Sequence, residues 1–82
     1  MPKRKMRNDG EKNISGTKIK QLRMMRGLTQ MQFSARMEVE GIVWDQKTVS
    51  SVELQHRALF DYEIKAVAKV LETTVDNLLE MN

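Results

Sequence analysis

The sequence predicts an all-α fold, a compact five-helix bundle formed by residues 14–82 behind a basic N-terminal arm. Apolar residues recur at spacings of three and four, capping residues stand at the segment boundaries, and no segment alternates as a strand would. The 82 residues include no cysteine, so neither a disulfide nor a thiolate metal site can stabilise the fold. A chain this short is expected to form one locally packed domain, or a dimer.

Residues 1–13 are expected to form a disordered basic arm. They lack apolar periodicity and carry five Lys or Arg against two acidic residues, which accounts for the whole net charge of +3. The remaining residues are neutral but polarised, with five bases and no acid between Lys18 and Arg36. A positive front of this kind would orient the domain toward a polyanion, although chance clustering on a solvated surface explains it equally well.

The first two predicted helices are bounded by recognisable caps. The first runs from about Ser15 to Arg26, and Gly27 ends it in a left-handed conformation. Its inward residues are Ile19, Leu22 and Met25. The second covers about residues 30–39 and buries Phe33 and Met37, which are four residues apart; it begins with a capping box formed by Thr29 and Gln32.

An unusual connection leads to the third helix. Gly41 is followed by the apolar residues 42–44, and Asp45 then caps a helix that runs to about Leu54. Trp44 is the only tryptophan. We interpret it as a core residue that anchors the connection, in preference to a base-stacking or partner contact, because the two apolar residues before it also favour burial.

The third helix has two chemically different sides. Val49, Val52 and Glu53 fall on one side at about 100° per residue. The other side carries small or hydrogen-bonding residues: Gln46, Lys47, Ser50 and Ser51. An apolar rear and a polar front suit a helix that enters the major groove of DNA.

Two further helices complete the predicted bundle. Asp61 is expected to cap the fourth, and Thr74 the short fifth. Their inward residues are Ile64, Val67, Ala68 and Leu71 in the fourth helix, and Val75, Leu78 and Leu79 in the fifth.

Over about residues 15–80 the chain resembles the Cro/repressor type, or XRE-like, helix-turn-helix domain of the lambda-repressor-like fold. The resemblance rests on these positions in register: Ile19, Leu22, Arg23, Gly27, Leu28, Thr29, Gln30, Phe33, Val49, Ser50, Val52, Glu53, Ala68, Leu71 and Leu78. It implies a sequence-specific regulator of transcription that binds double-stranded DNA as a homodimer, without a cofactor. A repressor of the phage, mobile-element or neighbouring-operon type fits the small size.

The resemblance also implies roles for individual residues. The third helix would read bases through Gln46, Lys47 and Ser51. Backbone contacts would come from Thr29, Gln30, Ser50, His56 and Arg57. Lys3, Arg4 and Lys5 of the arm could lie along the DNA backbone or enter the minor groove; the alternatives are a solubility tail or an anionic-lipid contact, the latter disfavoured because no amphipathic helix follows the arm. Arg23 and Glu53 would form a structural ion pair.

Three features depart from the family pattern. The connection between the second and third helices is roughly five residues longer than the usual turn of about three to four, as in a subset of such proteins. Gln55 and Glu72 stand where the family often has glycine, so both helix ends are expected to be less sharply capped. The third helix offers one cation, Lys47, where relatives often have arginine.

Composition limits the alternatives. The chief rival is a protein-interaction module on the same fold, such as an antitoxin that binds a partner protein, which Met24, Met25 and Met31 would suit. No enzyme is expected, because there is no cysteine, one histidine and no phosphate-binding glycine loop. A lone His56 indicates no metal site. No stretch approaches the ~18 apolar residues that span a bilayer, so we expect a cytoplasmic protein without membrane contact.

Overall fold

Helices make up all the regular secondary structure of residues 13–79, the part of the chain that the computed structural model describes. They are α1 (Gly16–Met25), α2 (Gln30–Val39), α3 (Gln46–Glu53), α4 (Asp61–Val70) and α5 (Val75–Leu79). Within this part the prediction of an all-α fold with five helices is confirmed. The predicted arm, with Lys3, Arg4 and Lys5, lies outside the described residues, as do residues 80–82. None of the described helices is long and apolar enough to cross a membrane.

The core is a single apolar cluster to which every helix contributes. Its most deeply buried members are Ile19, Phe33, Met37, Val49, Val52, Val67, Leu71 and Leu78. The inward stripes predicted for α2, α3 and α4 are therefore confirmed. Two assignments were wrong: Met25 is 79% exposed and Leu79 is 42% exposed. Met25 lies about 120° around α1 from Ile19, outside the side that meets the core.

The predicted caps are present with one shift. Gln32 N–H donates to Thr29 Oγ1 at 3.0 Å and Thr29 N–H donates to Gln32 Oε1 at 2.8 Å, so the capping box is confirmed. Asp45 accepts the N–H of Thr48 at 2.8 Å, and Thr74 accepts that of Asn77 at 3.0 Å. The predicted Asp61 cap was wrong.

Residue 60 is the N-cap of α4, and Asp61 is the first residue of the helix. Glu63 is the third residue of the helix, and its carboxylate accepts a hydrogen bond from the Phe60 N–H at 2.9 Å. An acidic side chain at this third helical position reaches back to the free N–H of the N-cap residue, as one half of a capping box does. The predicted boundary was therefore one residue late.

Asn13 anchors the start of α1, a role that the sequence did not reveal. Its Oδ1 accepts the N–H groups of Ser15 at 3.0 Å and Gly16 at 2.7 Å. Its Nδ2 donates to the carbonyl oxygens of Val52 at 3.2 Å and Arg57 at 2.8 Å. The first described residue is thus bonded to the end of α3 and to the segment that follows it.

Candidate nucleic-acid interface

α3 is fixed by its rear side and leaves its front accessible. It packs against both α1 and α2. Val49 and Val52 are fully buried and Glu53 is nearly so. Gln46 and Lys47 are exposed, whereas Ser50 and Ser51, also on the front, are half-buried. The orientation predicted for α3 is therefore confirmed, and the predicted base-contacting residues share its accessible side.

A chain of polar contacts links the interior to this accessible side. Arg23 Nε donates to Glu53 Oε2 at 2.6 Å, and Gln30 Nε2 donates to Glu53 Oε1 at 3.0 Å. Gln46 Nε2 in turn donates to Gln30 Oε1 at 3.4 Å. Because Gln30 directs its amide nitrogen toward Glu53, its amide oxygen faces the first turn of α3. The exposed Gln46 is thereby coupled to a buried ion pair.

The ion pair of Arg23 and Glu53 holds α1 to α3. The two side chains are 10% and 3% exposed, and Arg23 Nη1 also donates to the carbonyl oxygen of Leu28 at 2.7 Å. Removing one partner from such a pair leaves a buried charge uncompensated, which costs ~3–5 kcal/mol. The predicted pair is present, and it fixes the end of α3 that lies farther from Gln46.

A polar groove runs along this side of the molecule. A cavity of about 370 Å³ lies between the outer face of α1, the start of α2 and the front of α3. Its lining residues are Thr17, Lys20, Gln30, Ser50, Glu53, Leu54 and Gln55. The sequence did not single out Thr17 or Lys20, although Lys20 belongs to the run of bases that begins at Lys18. The groove places a second cation beside α3.

The connection from α2 to α3 contains six residues, from 40 to 45. It exceeds an ordinary turn by only about two to three residues, so the predicted surplus of roughly five was wrong. Trp44 is 4% exposed, and its ring centroid lies 6.4 Å from that of Phe33, which confirms it as a core residue. Val43 is 82% exposed, contrary to expectation, because Ile42 and Trp44 on either side of it point inward along a non-helical stretch.

Arg57 is already bound within the protein. Its Nη1 and Nη2 donate to the two carboxylate oxygens of Glu63 at 3.0 Å each, and its guanidinium carbon lies 5.4 Å from the Trp44 ring centroid. One third of the side chain remains exposed. The predicted phosphate contacts of Arg57 and of the exposed His56 stay predictions. A phosphate contact of Arg57 would have to form beside its existing ion pair with Glu63.

The electrostatics of Glu63 reflect these contacts. Burial alone would raise the pKa of its carboxyl, but hydrogen bonds from Arg57, from the Phe60 N–H and from Trp44 outweigh it. The pKa of Glu63 therefore lies below its ordinary value of 4.5. The hydrogen bond to Glu63 raises the pKa of Arg57 in return. Near neutral pH this is a charged pair.

Comparison of the chain with protein-family models, with curated proteins and with solved structures finds no match.

Proposed function

We propose that this chain is a helix-turn-helix domain of the Cro/repressor type that binds double-stranded DNA and regulates transcription as a homodimer. The observation that carries the proposal is the fastening of α3. Val49, Val52 and Glu53 hold its rear in the core, while Gln46 and Lys47 are exposed at its first turn. A helix held in this way can enter a major groove without rearrangement of the fold.

Base recognition belongs to the first turn of α3. A glutamine carboxamide makes two hydrogen bonds to adenine, through N7 and the N6 amino group, and Gln46 has an exposed carboxamide. Lys47 donates to guanine or to a phosphate. Ser51 is shorter and half-buried, so its contacts are limited to groups that approach α3 closely.

Phosphate binding belongs to the groove and to the start of α2. Backbone N–H groups at a helix N-terminus attract anions, and Thr29 and Gln30 stand at that of α2. Lys20 and Thr17 on the opposite wall add a cation and a hydroxyl. Lys20 compensates in part for the single cation on α3. Ser50 lies between the two walls of the groove, within reach of the DNA strand whose phosphates these walls would bind.

Selection from a pool of random-sequence duplexes tests the proposal. We expect enrichment of two-fold-related half-sites about one helical turn apart, as a homodimer requires. Binding should weaken with salt, with a log–log slope of ~0.9 per phosphate contact. If no duplex is enriched at low salt, DNA binding is refuted.

A protein-interaction module is the second candidate, favoured by one observation. Met24, Met25 and Met31 are 61%, 79% and 65% exposed around the junction of α1 and α2. Flexible thioether side chains suit an adaptable protein contact. This function predicts no enriched duplex, together with protection of the three methionines from oxidation when the partner protein is bound.

A further inference from the structure

The carboxylate of Glu63, at the start of α4, collects donors from both flanks of α3. Trp44 Nε1 donates to Oε2 at 3.3 Å, and Arg57 donates to both oxygens at 3.0 Å. Trp44 directly precedes Asp45, the N-cap of α3. Arg57 follows shortly after Gln55, the left-handed residue behind the last turn of α3. One side chain thus bridges the segment before α3 and the segment after it.

We propose that Glu63 is a positioning residue for α3: it fastens both flanks of the helix and so fixes the orientation in which Gln46 and Lys47 meet DNA. The consequence for DNA binding rests on the function proposed above. The fastening itself is a property of the free protein and can be measured without DNA.

The length of the connection explains why such a bridge is needed. A turn of about three to four residues fixes the angle between two helices by its own backbone geometry. Six residues, with Val43 exposed, leave that angle less constrained. Trp44 is buried just before α3 and holds that end of the helix to the core. The hydrogen bond from its indole N–H to Glu63 also fixes the orientation of its side chain. Hydrogen bonds are directional, whereas apolar contacts are not.

The three side chains restrain one another. The Arg57 guanidinium lies over the Trp44 ring at 5.4 Å while it pairs with Glu63, so each group contacts the other two. Glu63 is 4% exposed, which shields these contacts from water and strengthens them. The interior side chains Val49 and Val52 hold α3 to the core, and the polar contacts of Glu63 add a constraint at each end of the helix.

The test compares Glu63→Gln with Leu78→Val by hydrogen exchange. Glu63→Gln keeps the shape and one acceptor oxygen but removes the charge and replaces the other acceptor with a donor. Leu78→Val removes one methylene from the core of α5, away from the bridge, and serves as the stability control. Exchange is measured at a temperature at which both variants are fully folded.

We expect Glu63→Gln to lose protection around residues 44–48 and 54–58, beyond the loss in Leu78→Val. The emission of Trp44 should also change, because its indole N–H loses a carboxylate partner. Loss of protection spread over all helices, as in the control, would refute the fastening. Should Glu63→Gln not fold, Arg57→Gln removes both guanidinium hydrogen bonds to Glu63 and leaves the bond from the Trp44 indole N–H, so it should lose protection mainly around residues 54–58; no loss there, or a loss spread over all helices, would count against the proposal.

DNA binding supplies a readout that a merely structural role would not change. The probes are the duplex selected by the unmodified chain and a duplex of random sequence. We expect the ratio of the affinities for the selected and the random duplex to fall roughly tenfold or more in Glu63→Gln, because the lost carboxylate charge and the released Arg57 act on both duplexes alike, whereas a misplaced α3 weakens only the selected one. Equal losses on both duplexes, or none, would overturn the positioning role. If selection yields no duplex, the proposed function fails, while the exchange data still decide whether Glu63 fastens α3.

Discussion

Within residues 13–79, two residues other than glycine end helices in the left-handed conformation, Gln55 at φ 66° and Glu72 at φ 58°. Their identity led us to expect loosely capped helix ends, and that expectation was wrong. Beyond Gln55, the His56 N–H donates to Ser51 O at 2.9 Å; the corresponding bond beyond Glu72 runs from Thr73 N–H to the carbonyl of residue 68, also at 2.9 Å. These hydrogen bonds satisfy free carbonyl groups in the last turn of each helix, as they do in helices that end at a left-handed glycine.

Glu72→Gly should therefore stabilise the domain. A left-handed residue with a Cβ costs roughly 1–2 kcal/mol, and the greater freedom of unfolded glycine offsets part of the gain, which leaves about 0.5–1 kcal/mol. The ion pair with Arg26 that this variant lacks is exposed and contributes little. Urea unfolding measures the change. Gln55→Gly should gain less, because Gln55 Nε2 also donates to Asn13 O at 3.3 Å. A destabilised Glu72→Gly would show that the left-handed geometry is not strained.

The double variant Gln46→Ala, Lys47→Ala should abolish specific DNA binding and barely change thermal stability. Both side chains are exposed, and the hydrogen bond from Gln46 to Gln30 is long at 3.4 Å. Gel-shift titration against the selected duplex and thermal unfolding give the two measurements.

The matched control for this variant is Gln21→Ala, Lys65→Ala. It removes the same two residue types from exposed positions on α1 and α4. It should bind as the unmodified chain does. A large loss of stability in the Gln46 and Lys47 variant would mean that these side chains support the fold.

Local patterns in the sequence predicted the caps and the stripes, but not the polar bridges. Thr29 and Gln32 are three residues apart, so their capping box can be predicted from a short stretch of sequence. Glu63 could be predicted only as a helical acid, because its partner Trp44 is 19 residues away and is brought to it by the core. Asn13 bonds Arg57 across 44 residues for the same reason. Such contacts depend on how the helices pack, which no local spacing encodes.

At the scale of whole helices, the start of α1 lies directly against the end of α3. A Cβ at Gly16 would overlap the carbonyl oxygen of Val52 and lie 2.9 Å from that of Glu53. Both obstacles are backbone atoms, which cannot rotate away. Glycine at this position is therefore required by close packing between two helices.

Gly16→Ala should destabilise the domain, although alanine is the better helix former. The overlap forces the two helices apart at a cost of about 1–3 kcal/mol. Thr17→Ala, one residue later and exposed, is the control and should be neutral or slightly stabilising. Thermal unfolding of the two variants gives the comparison. A stabilised Gly16→Ala would contradict the close approach of α1 to α3.

At the scale of the whole molecule, the excess of positive charge lies in two regions. These are the N-terminal residues and the face around α1 and α2. Deletion of residues 1–12 removes the +3 excess, since five bases and two acids go with it. We expect similar weakening on all duplexes, and a salt slope that falls by ~0.9 for each phosphate that the arm would otherwise bind. Titration at several salt concentrations measures it. A slope that does not change would show that Lys3, Arg4 and Lys5 take no part.

The stability of the whole domain should depend on Glu63 as the pH falls. Its folded pKa lies below the ordinary 4.5, so the unfolded chain binds the proton more readily and acid favours unfolding. The stabilisation is complete above the unfolded pKa and is lost as the pH falls through the folded one. Urea unfolding should show Glu63→Gln most destabilised near neutral pH and approaching the unmodified chain below 4.5. A difference that is constant with pH would mean that the charge of Glu63 does not contribute.

The bridge at Glu63 also has a consequence for synthesis on the ribosome. A chain that emerges from its N-terminus presents α2 and α3 before α4 exists, and these two helices then lack the carboxylate that Trp44 and Arg57 bind. Arg26 likewise waits for the carbonyl oxygen of Leu71. None of these contacts can form before Glu63 and Leu71 have left the exit tunnel. The nascent protein should therefore acquire its proposed DNA-binding activity only after α4 has left the exit tunnel.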